Sequence, residues 1–347
     1  MKQIAFYLPS DPLRQARGEG TYSRLLFTSL QKISSQNQIK LLPFSQAPPN
    51  QADLVHYTYF DLFRHTLPLI KSKPIIVSIL DVIPLEFPDH YPPGLRGSIN
   101  LFLQRFALQN VSHIITISNY SKRQINKHLH LSDEKITVTP LAANPAFGHI
   151  SQAKILKSAK SRHHLPDQFV LYVGDINWNK NLERLTQACV DANLHLVIVG
   201  RTATDRSLNL DHPELSHFKV WLDLYATHPL VHRLGFVPTS DLVAIYNLAS
   251  VYCQPSLSEG FGLPILDALA CGIPVASSNR SSLPEVAGPA ALYFDPENVA
   301  EIRTALEKIV SEKDLARDLK HKGKLQAKKF NWAKTARQTV DVYLKYL

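Results

Sequence analysis

Short apolar runs alternate with helix-like segments along the whole chain, and this alternation constrains the fold more than any other feature. Strands that alternate with helices form parallel sheets whose faces the helices cover. The predicted strands are Ile4–Leu8, Ile39–Phe44, Leu54–Tyr57, Ile75–Leu80, His113–Ile117, Ile136–Thr139, Phe169–Val173, Leu194–Val199, Val231–Phe236, Val251–Gln254, Ile273–Ser277 and Ala290–Phe294. The predicted helices are Tyr22–Ile33, Leu95–Gln109, Tyr120–Leu129, Leu182–Asn193, Glu214–Ala226, Ser240–Leu248, Pro264–Cys271 and Val299–Val310, with further helix over residues 313–347. The sequence therefore predicts an α/β protein.

A length of 347 residues favours two domains of ordinary size. The stretch from Asn144 to Gln168 has no strand pattern and contains prolines and a glycine, as interdomain segments often do. We expect an N-terminal Rossmann-like domain over residues 1–150, a linker over 151–168 and a second Rossmann-like domain over 169–330. Residues 331–347 would form a C-terminal helix, with a return to the first domain as one option. Two such domains facing each other would form a cleft, with ligands at the carboxyl ends of the strands.

The composition indicates a protein that works in a reducing compartment without spanning a membrane. It is 45% hydrophobic and 19% charged, and no apolar run approaches the roughly 20 residues that a transmembrane helix needs. The first residues enter a strand pattern directly, so they do not resemble a signal peptide. The three cysteines lie far apart among apolar neighbours, and the 15 histidines show no metal-ligand spacing. We therefore expect a cytoplasmic protein with no metal site.

The positive charge is concentrated in the first half of the chain. Residues 1–150 contain 15 Lys/Arg against 9 Asp/Glu, in a protein of net charge +9. A soluble basic protein explains this, and so does contact with an anionic surface such as lipid headgroups or a phosphorylated acceptor. Nucleic acid fits less well, because no basic stripe with interleaved aromatic residues is present.

One segment, from Pro255 to Val275, combines a glycine turn with the start of a helix. Gly260 and Gly262 allow the backbone to approach a ligand closely or to adopt positive φ values. Pro264 suits the first turn of a helix, where its missing N–H costs nothing. The peptide N–H groups at this turn would then favour a phosphate at the positive end of the helix dipole. An ordinary strand-to-helix turn is the alternative.

Two carboxylates flank this turn. Glu259 precedes it, and Asp267 lies about one helical turn after it. Acidic groups beside a phosphate cradle are better suited to hold hydroxyls than the phosphate itself. A nucleotide-sugar carries both phosphates and hydroxyls, so the segment fits such a ligand, although Asp267 could also be an exposed helix residue.

The run SLSEGFGLPILDALACGIPVASSNRSSLPEVAG, residues 256–288, resembles the signature of retaining GT-B glycosyltransferases of family four. The mark of that family is two acidic residues eight positions apart, here Glu259 and Asp267. Shorter matches extend the resemblance over most of the chain: RGEGTYS (residues 17–23), DVIPL (81–85), HIITISNYS (113–121) and LYVGDINWNKN (171–181). The resemblance implies the GT-B fold, with two Rossmann-like domains.

The resemblance also assigns roles to individual residues. Glu259 would bind hydroxyls of the donor sugar, Lys180 would neutralise the diphosphate, and Asp267 would bind the ribose. Backbone groups around Gly262 would hold phosphate oxygens, and the loop at Gly20 would close over them. The implied donor-binding residues are Gly20, Gly260, Phe261, Gly262, Leu263 and Asp267, with Arg201 as a weaker candidate. The acceptor-side candidates are Asp81 and Ser118, although Ser118 could simply cap the helix that follows it.

The implied chemistry is the transfer of a hexose from a nucleotide-sugar to a hydroxyl, with retention at the anomeric carbon. The resemblance implies no metal and no cofactor, because a lysine and helix dipoles stabilise the leaving diphosphate. The loop at Asp81 most resembles mannosyl- and glucosyltransferases, so GDP-mannose is the first donor candidate and UDP-glucose the second. The acceptor would be a polysaccharide or a lipid-linked saccharide, reached at the inner membrane face.

Three positions depart from the family pattern. Leu80 stands where a histidine often precedes the aspartate of the acceptor-side loop, and Asp175 stands where many members have arginine. The second acidic residue is Asp267, where glutamate is usual. These departures keep a second class of function open, namely a nucleotide-sugar binding subunit without transferase activity. A GT-B epimerase or phosphorylase and a nucleic-acid binder are weaker alternatives.

Overall fold

The computed structural model of the protein describes residues 1–11, 18–205 and 207–347. They form two compact units, Met1–Ala142 with Phe330–Leu347 and Ala143–Lys329. Each unit contains one six-stranded parallel sheet with helices on its faces. The predicted α/β fold with two parallel sheets is confirmed. None of the helices in the described ranges is both long enough and apolar enough to cross a bilayer.

The first unit is built on the sheet β2-β1-β3-β4-β5-β6. Its strands are β1 (Lys2–Tyr7), β2 (Ile39–Phe44), β3 (Leu54–Tyr57), β4 (Ile75–Ser78), β5 (His113–Thr116) and β6 (Ile136–Val138). Its helices are α1 (Gly18–Ser34), α2 (Ile83–Glu86), α3 (Gly94–Gln109), α4 (Asn119–Leu129) and the C-terminal α13 (Trp332–Leu344). Strands β4 and β5 are buried along their whole length. This burial explains the apolar runs at residues 75–77 and 114–115, since helices cover both faces of such a sheet.

The second unit is built on the sheet β12-β11-β10-β7-β8-β9. Its strands are β7 (Phe169–Val173), β8 (His195–Val199), β9 (Val231–Gly235), β10 (Val251–Gln254), β11 (Val275–Ser278) and β12 (Ala291–Phe294). Its helices are α5 (Ala153–Arg162), α6 (Leu182–Asp191), α7 (Ser216–Tyr225), α8 (Thr239–Leu248), α9 (Leu263–Cys271), α10 (Leu283–Ala287), α11 (Val299–Ser311) and α12 (Lys313–Ala327). The strand order reverses between β7 and β10, which is where open α/β sheets bind their ligands.

The boundary between the units lies at Ala142, not at residue 150 as predicted. The segment before α5 belongs to the second unit, because the side chain of Asn247 on α8 holds it at two points. Its carbonyl oxygen accepts from the N–H of Ile150 at 2.8 Å, and its amide group donates to the carbonyl oxygen of Gly148 at 2.9 Å. The absence of a strand pattern correctly excluded a strand here but did not make the segment a linker.

The predicted linker over residues 151–168 was also wrong, because it contains helix α5. Only Ala159 of this helix is buried, so its sequence lacks a readable apolar stripe. Polar contacts hold its end instead: Arg162 donates to both carboxylate oxygens of Asp241 on α8, at 2.7 and 2.6 Å, and His163 contacts the same carboxylate at 2.8 Å. A helix fixed in this way is hard to recognise from hydrophobic periodicity.

The C-terminal region forms two helices that belong to different units. Helix α12 is part of the second unit, whereas α13 is part of the first. Asn331 caps α13, since its side-chain oxygen accepts from the N–H of Lys334 at 2.8 Å. Thr335 in the first turn of α13 also donates to the carbonyl oxygen of Pro140, at 2.6 Å.

A chain of buried polar side chains ties α13 to the sheet of the first unit. The hydroxyl of Tyr343 on α13 lies 2.6 Å from Nδ1 of His56 on β3, and Nε2 of His56 lies 2.8 Å from Oγ of Ser78 on β4. The chain ends at Tyr22 on α1, whose hydroxyl lies 2.7 Å from Oγ of Ser78. Nearby, Nδ1 of His113 on β5 lies 3.1 Å from the hydroxyl of Tyr346. Two buried histidines therefore hold the end of the chain.

Burial keeps these two histidines neutral in the folded protein. It lowers the pKa of His56 to about 3, from 6.5, and the pKa of His113 to about 4, with lysines 345, 122 and 135 adding to the effect on His113. In the unfolded chain both imidazoles take up a proton near pH 6.5. Their contribution to stability is therefore complete above pH 6.5 and is lost as the pH falls towards 3.

We expect acid to loosen α13 before the protein unfolds as a whole. His56 alone would cost about 2 kcal/mol of stability at pH 5 relative to pH 7. Hydrogen exchange of residues 332–344, corrected for the intrinsic rate, should accelerate over this range. His56→Gln should flatten the pH dependence, whereas the exposed His65→Gln should leave it unchanged. Exchange that does not vary with pH in the wild-type protein would contradict this account.

Candidate active site

The candidate site of the second unit lies at the carboxyl ends of β7 and β10. These strands are neighbours in the sheet, with Val170 paired to Val251 and Leu171 paired to Tyr252. The loops that follow them, residues 174–181 and 255–262, therefore emerge side by side. They carry Lys180 and Glu259, which are 79 positions apart in the sequence. The reversal of strand order brings the two predicted catalytic residues together.

Two asparagines of the first loop brace it against the second. The side-chain amide of Asn179 donates to the carbonyl oxygen of Ser258 at 2.9 Å, and the backbone carbonyl oxygen of Asn179 accepts from the N–H of Leu257 at 2.8 Å. Asn181, which has a positive φ of 56°, donates to the carbonyl oxygens of Pro255 and Pro296 at 3.0 and 2.7 Å. Both asparagines are buried. They satisfy loop carbonyls that water cannot reach, and so fix the distance between the loops.

Glu259 is held by a set of buried donors. Its Oε1 accepts from Nε2 of Gln254 at 2.8 Å, from Oγ of Ser256 at 2.7 Å and from Nζ of Lys180 at 2.8 Å. Its Oε2 accepts from the same ammonium at 2.8 Å. The residue is 8% exposed. A carboxylate buried to this degree needs such partners, because an unpaired buried charge is costly.

The backbone of Glu259 is fixed as well. Its N–H donates to Oγ of Ser281 at 3.0 Å, and its carbonyl oxygen accepts from Oγ of Ser282 at 2.8 Å. Both serines lie just before α10. The carboxylate is therefore positioned by the backbone as well as by its side-chain partners.

The predicted glycine turn leads directly into a helix. Gly262 has a φ of 94°, and α9 begins at Leu263 with Pro264 in its first turn. A Cβ at position 262 would lie 2.6 Å from Cδ2 of Leu283, so the turn excludes a side chain for two reasons. Phe261 is buried beside it, and Gly260 is also buried. The peptide groups at the start of α9 have the geometry of a helix N-terminus.

Asp267 lies on the buried face of α9 and not on its exposed face. Its Oδ1 accepts from the N–H of Asn144 at 3.0 Å, and the side chain is 9% exposed. Burial raises the pKa of Asp267 to about 7, although the hydrogen bond from Asn144 acts in the opposite direction. A carboxyl group with this pKa can donate as well as accept a hydrogen bond near neutral pH. The nearby Tyr246 is fully buried.

Asp175, which departs from the family pattern, is held by contacts within the second unit, and Arg201 lies in the neighbouring loop. The carbonyl oxygen of Asp175 accepts from the hydroxyl of Tyr172 at 2.6 Å, and its carboxylate accepts from Thr202 at 3.2 Å. Arg201 follows β8 and is exposed. The two loops approach so closely that a Cβ on Gly200 would lie 2.0 Å from the carbonyl oxygen of Gly174. The structure places Arg201 one strand away from β7.

The acceptor-side candidates belong to the first unit, at the carboxyl ends of β4 and β5. Asp81 Oδ1 accepts from the N–H of Ile83 at 3.2 Å, at the start of α2. Ser118 caps α4, since its Oγ accepts from the N–H of Ser121 at 2.9 Å. The hydroxyl of Ser121 donates to the carbonyl oxygen of Leu80 at 2.8 Å, which joins the two loops. Ser118 therefore caps the helix that follows it.

The glycine loop predicted after the first strand is different in the structure. Gly20 lies buried in the first turn of α1, which begins at Gly18, so it is part of a helix and not of a loop. Arg17, the first residue of that motif, lies outside the described residues. Two buried side chains at the second-unit site, Gln254 and Ser256, and the half-buried Asn144 were missed by sequence reasoning. The available signal for Gln254 and Ser256 was the presence of polar residues shortly before Glu259.

Within residues 1–11, 18–205 and 207–347, no group of three or more His, Cys, Asp or Glu side chains is placed to hold a metal ion.

Comparison with known protein families accounts for both units. Residues 154–326 match the model of glycosyl transferases group 1, and residues 16–147 match the model of glycosyltransferase family 4. The chain belongs to the family-four glycosyltransferases. The resemblance predicted from residues 256–288 is therefore confirmed.

Several relatives of this glycosyltransferase are mannosyltransferases. It is 29% identical over 272 residues to the serotype-specific mannosyltransferase WbdA of Escherichia coli, a match that covers 77% of this chain and 33% of WbdA. It is also 29% identical over 279 residues to the O-antigen chain mannosyltransferase B of Escherichia coli, covering 79% of this chain and 71% of that protein. The chain thus spans about a third of the length of WbdA.

Solved structures confirm the GT-B fold. The sucrose-phosphate synthase of Thermosynechococcus elongatus superposes with a TM-score of 0.77 at 19% identity and 99% coverage of both chains. HepE of Anabaena, solved with UDP and glucose, superposes with a TM-score of 0.74 at 14% identity, covering 99% of this chain and all of HepE. At these identities the likeness establishes the fold alone.

The raised pKa of Asp267 predicts a pH-dependent cost of keeping this carboxyl group buried. The folded protein retains the proton up to about pH 7, whereas the unfolded chain releases it near pH 3.8. Unfolding therefore becomes more favourable as the pH rises from about 4 to about 7. Asp267→Asn retains the oxygen that accepts from Asn144 and removes the charge. We expect this variant to melt higher than the wild type at pH 8.

Differential scanning calorimetry between pH 4 and pH 8 measures this effect. The free energy of unfolding of Asp267→Asn, relative to that of the wild type, should increase with pH and level off above pH 7. The difference should reach a few kcal/mol. The exposed Asp223 on α7 provides the matched control, since Asp223→Asn should follow the wild type at every pH. A lower melting temperature for Asp267→Asn at pH 8 would show that the carboxylate is stabilised in its ionised form.

Proposed function

We propose that the protein is a retaining hexosyltransferase that uses a nucleotide-sugar donor. The observation that carries this proposal is the contact between Lys180 and Glu259 at the carboxyl ends of β7 and β10, 2.8 Å from nitrogen to each carboxylate oxygen. A cation and an anion fixed at that place suit the two parts of such a donor. The ammonium attracts the diphosphate, and the carboxylate accepts from sugar hydroxyls.

Donor binding would exchange one ion pair for two new contacts. The charge of Lys180 is balanced by Glu259, so a diphosphate must compete with this carboxylate for the ammonium. Gln254 and Ser256 continue to hold Oε1 of Glu259 when the ammonium turns to the phosphate. The carboxylate therefore stays in place and can accept from donor hydroxyls with Oε2.

The start of α9 would hold the phosphates, and Asp267 the ribose. The N–H groups at Gly262 and Leu263 lie at the positive end of the helix dipole, which favours anionic oxygens. Asp267 would accept a hydrogen bond from a ribose hydroxyl in exchange for the contact with Asn144. The proposed donor thus lies across the place where the strand order reverses, between β7 and β10.

The proposed reaction breaks the bond between the anomeric carbon and the leaving phosphate oxygen. The acceptor oxygen bonds to the same face of that carbon, and its proton passes to the leaving diphosphate. Lys180 and the α9 dipole would stabilise the negative charge that develops on the diphosphate, so the proposal includes neither a metal nor a cofactor.

Mannose is the favoured sugar and GDP-mannose the favoured donor, because relatives at 29% identity are named as mannosyltransferases. UDP-glucose is the second candidate, since HepE, which shares the fold, is solved with UDP-glucose. The proposed acceptor is a polysaccharide or a lipid-linked saccharide, because the relatives include O-antigen chain enzymes. We place the protein in the cytoplasm, with peripheral contact to the inner face of the membrane.

Glu259 offers the sharpest test of this proposal. Glu259→Ala should abolish transfer, and Glu259→Gln should reduce it by about a hundredfold or more, because a neutral amide oxygen accepts from the sugar hydroxyls more weakly than a carboxylate. The transfer rates of both variants are measured as the release of GDP or UDP in the presence of an acceptor extract. Glu307→Gln, at an exposed position of α11, is the matched control and should transfer at the wild-type rate. Wild-type transfer by Glu259→Ala would refute the assignment of the site.

A nucleotide-sugar binding subunit without transferase activity is the second candidate. Leu80 and Asp175 favour it, since both depart from the family pattern at the loops that follow β4 and β7. Nucleotide binding by calorimetry, together with no release of nucleotide from the wild-type protein, would support this second function.

A further inference from the structure

Helix α3 of the first unit carries an apolar stripe on its outer face. Leu95, Ile99, Phe102 and Phe106 follow each other at steps of four, three and four residues, which places them on one face of a helix. Their exposed fractions are 81, 55, 71 and 57%. Single exposed apolar residues are common, but four large ones in one line form a patch that calls for an explanation.

The opposite face of α3 is fixed, so the stripe cannot turn inward. Gln104 is fully buried, and its amide donates to the carbonyl oxygens of Asp61 and Arg64 at 2.8 and 2.9 Å. One turn earlier, the amide of Asn100 donates to the carbonyl oxygen of Phe63 at 2.9 Å. These contacts join the helix to the loop that follows β3. Rotating the stripe into the interior would leave these polar groups unpaired.

The loop before β4 adds another exposed apolar side chain near the end of α3. Ile70 is 91% exposed. The neighbouring Lys71 donates from its ammonium to the carbonyl oxygen of Ala107, in the last turn of α3, at 2.6 Å. Ile70 is thereby held beside the C-terminal end of the helix that carries the stripe.

The surroundings of the stripe are positively charged. The sequence from His90 to Ser132 contains no aspartate or glutamate, and its lysines and arginines are Arg96, Arg105, Lys122, Arg123 and Lys127. Helix α4 adjoins α3, since Nη2 of Arg105 donates to the carbonyl oxygen of His128 at 3.0 Å. Lys122 forms an ion pair with Asp133 at 2.8 Å, whereas Arg96, Arg123 and Lys127 are exposed.

From this arrangement we infer that the outer face of α3, with Ile70, docks onto an anionic lipid bilayer. An exposed apolar stripe flanked by cations is the pattern of a helix that lies in the membrane interface. The apolar side chains would enter the acyl region while the flanking cations contact phosphate headgroups. A second copy of the chain fits less well, because pairing this face with itself would bring the same positive charges together.

Docking through α3 gives a specific location to the membrane contact that the positive charge of residues 1–150 suggested. It does not depend on the donor, the acceptor or the reaction proposed for the second unit. A negative transfer experiment would not count against membrane docking. A negative vesicle experiment would not count against the transferase proposal.

Co-sedimentation of the full chain with vesicles tests the inference. We expect binding to vesicles that contain phosphatidylglycerol, weak binding to pure phosphatidylcholine vesicles, and release by salt. Phe102→Ser with Phe106→Ser should weaken binding by about tenfold or more, because two aromatic anchors are lost. Arg96→Gln with Lys127→Gln should weaken binding to phosphatidylglycerol vesicles and leave binding to phosphatidylcholine unchanged.

Helix α7 of the second unit provides a matched control, because Val220 and Leu224 are 51 and 59% exposed. Val220→Ser with Leu224→Ser should bind vesicles like the wild type. Equal binding by the variant at positions 102 and 106 would overturn the inference, as would no binding of the wild type at low salt. Sedimentation velocity tests whether a second copy of the chain binds the stripe instead. If the wild type is a dimer that does not bind vesicles, and Phe102→Ser with Phe106→Ser is a monomer, the stripe serves self-association and the inference is overturned.

Discussion

A buried carboxylate determines how the second unit is built around its candidate site. Glu259 is almost inaccessible to water, so its charge must be balanced from within the protein. Lys180 supplies the opposite charge, and Gln254 and Ser256 supply further hydrogen bonds. Removing one partner of such a pair typically costs about 3 to 5 kcal/mol, because the other charge is left uncompensated. The two loops that carry Lys180 and Glu259 are thereby forced to stay together, and the asparagines beneath them maintain the spacing.

The sequence predicted the fold well because the fold follows from local patterns. All twelve predicted strands are present, with ends that differ by a few residues, since continuous apolar runs are what a covered parallel sheet requires. Helix α5 was missed because polar contacts of Arg162 and His163 hold its end while only one of its residues is buried. The C-terminal helix predicted over residues 331–347 corresponds to α13, whose start is fixed by the cap at Asn331 and which packs in the first unit.

The candidate site could be predicted in its parts but not in its arrangement. The glycine turn and Pro264 carried a local signal, and the spacing of Glu259 and Asp267 carried a family signal. Nothing local showed that Lys180 would contact Glu259, because that contact follows from the pairing of β7 with β10. The burial of Asp267 against Asn144 was equally hidden, since Asn144 lies in a stretch that reads as a linker. Long-range pairing and burial decide these contacts, and both are properties of the folded chain.

In the proposed function, the second unit binds a nucleoside diphosphate-sugar through Lys180, Glu259 and Asp267. A thermal-shift screen of the wild-type protein against GDP, UDP, ADP and their sugars tests it most directly, because a ligand that binds only the folded state raises the melting temperature. We expect one nucleoside diphosphate and its sugar to stabilise the protein more than the others, with GDP and GDP-mannose as the leading pair, and Lys180→Met to lose that stabilisation. Absence of any shift across the panel at millimolar ligand would contradict it.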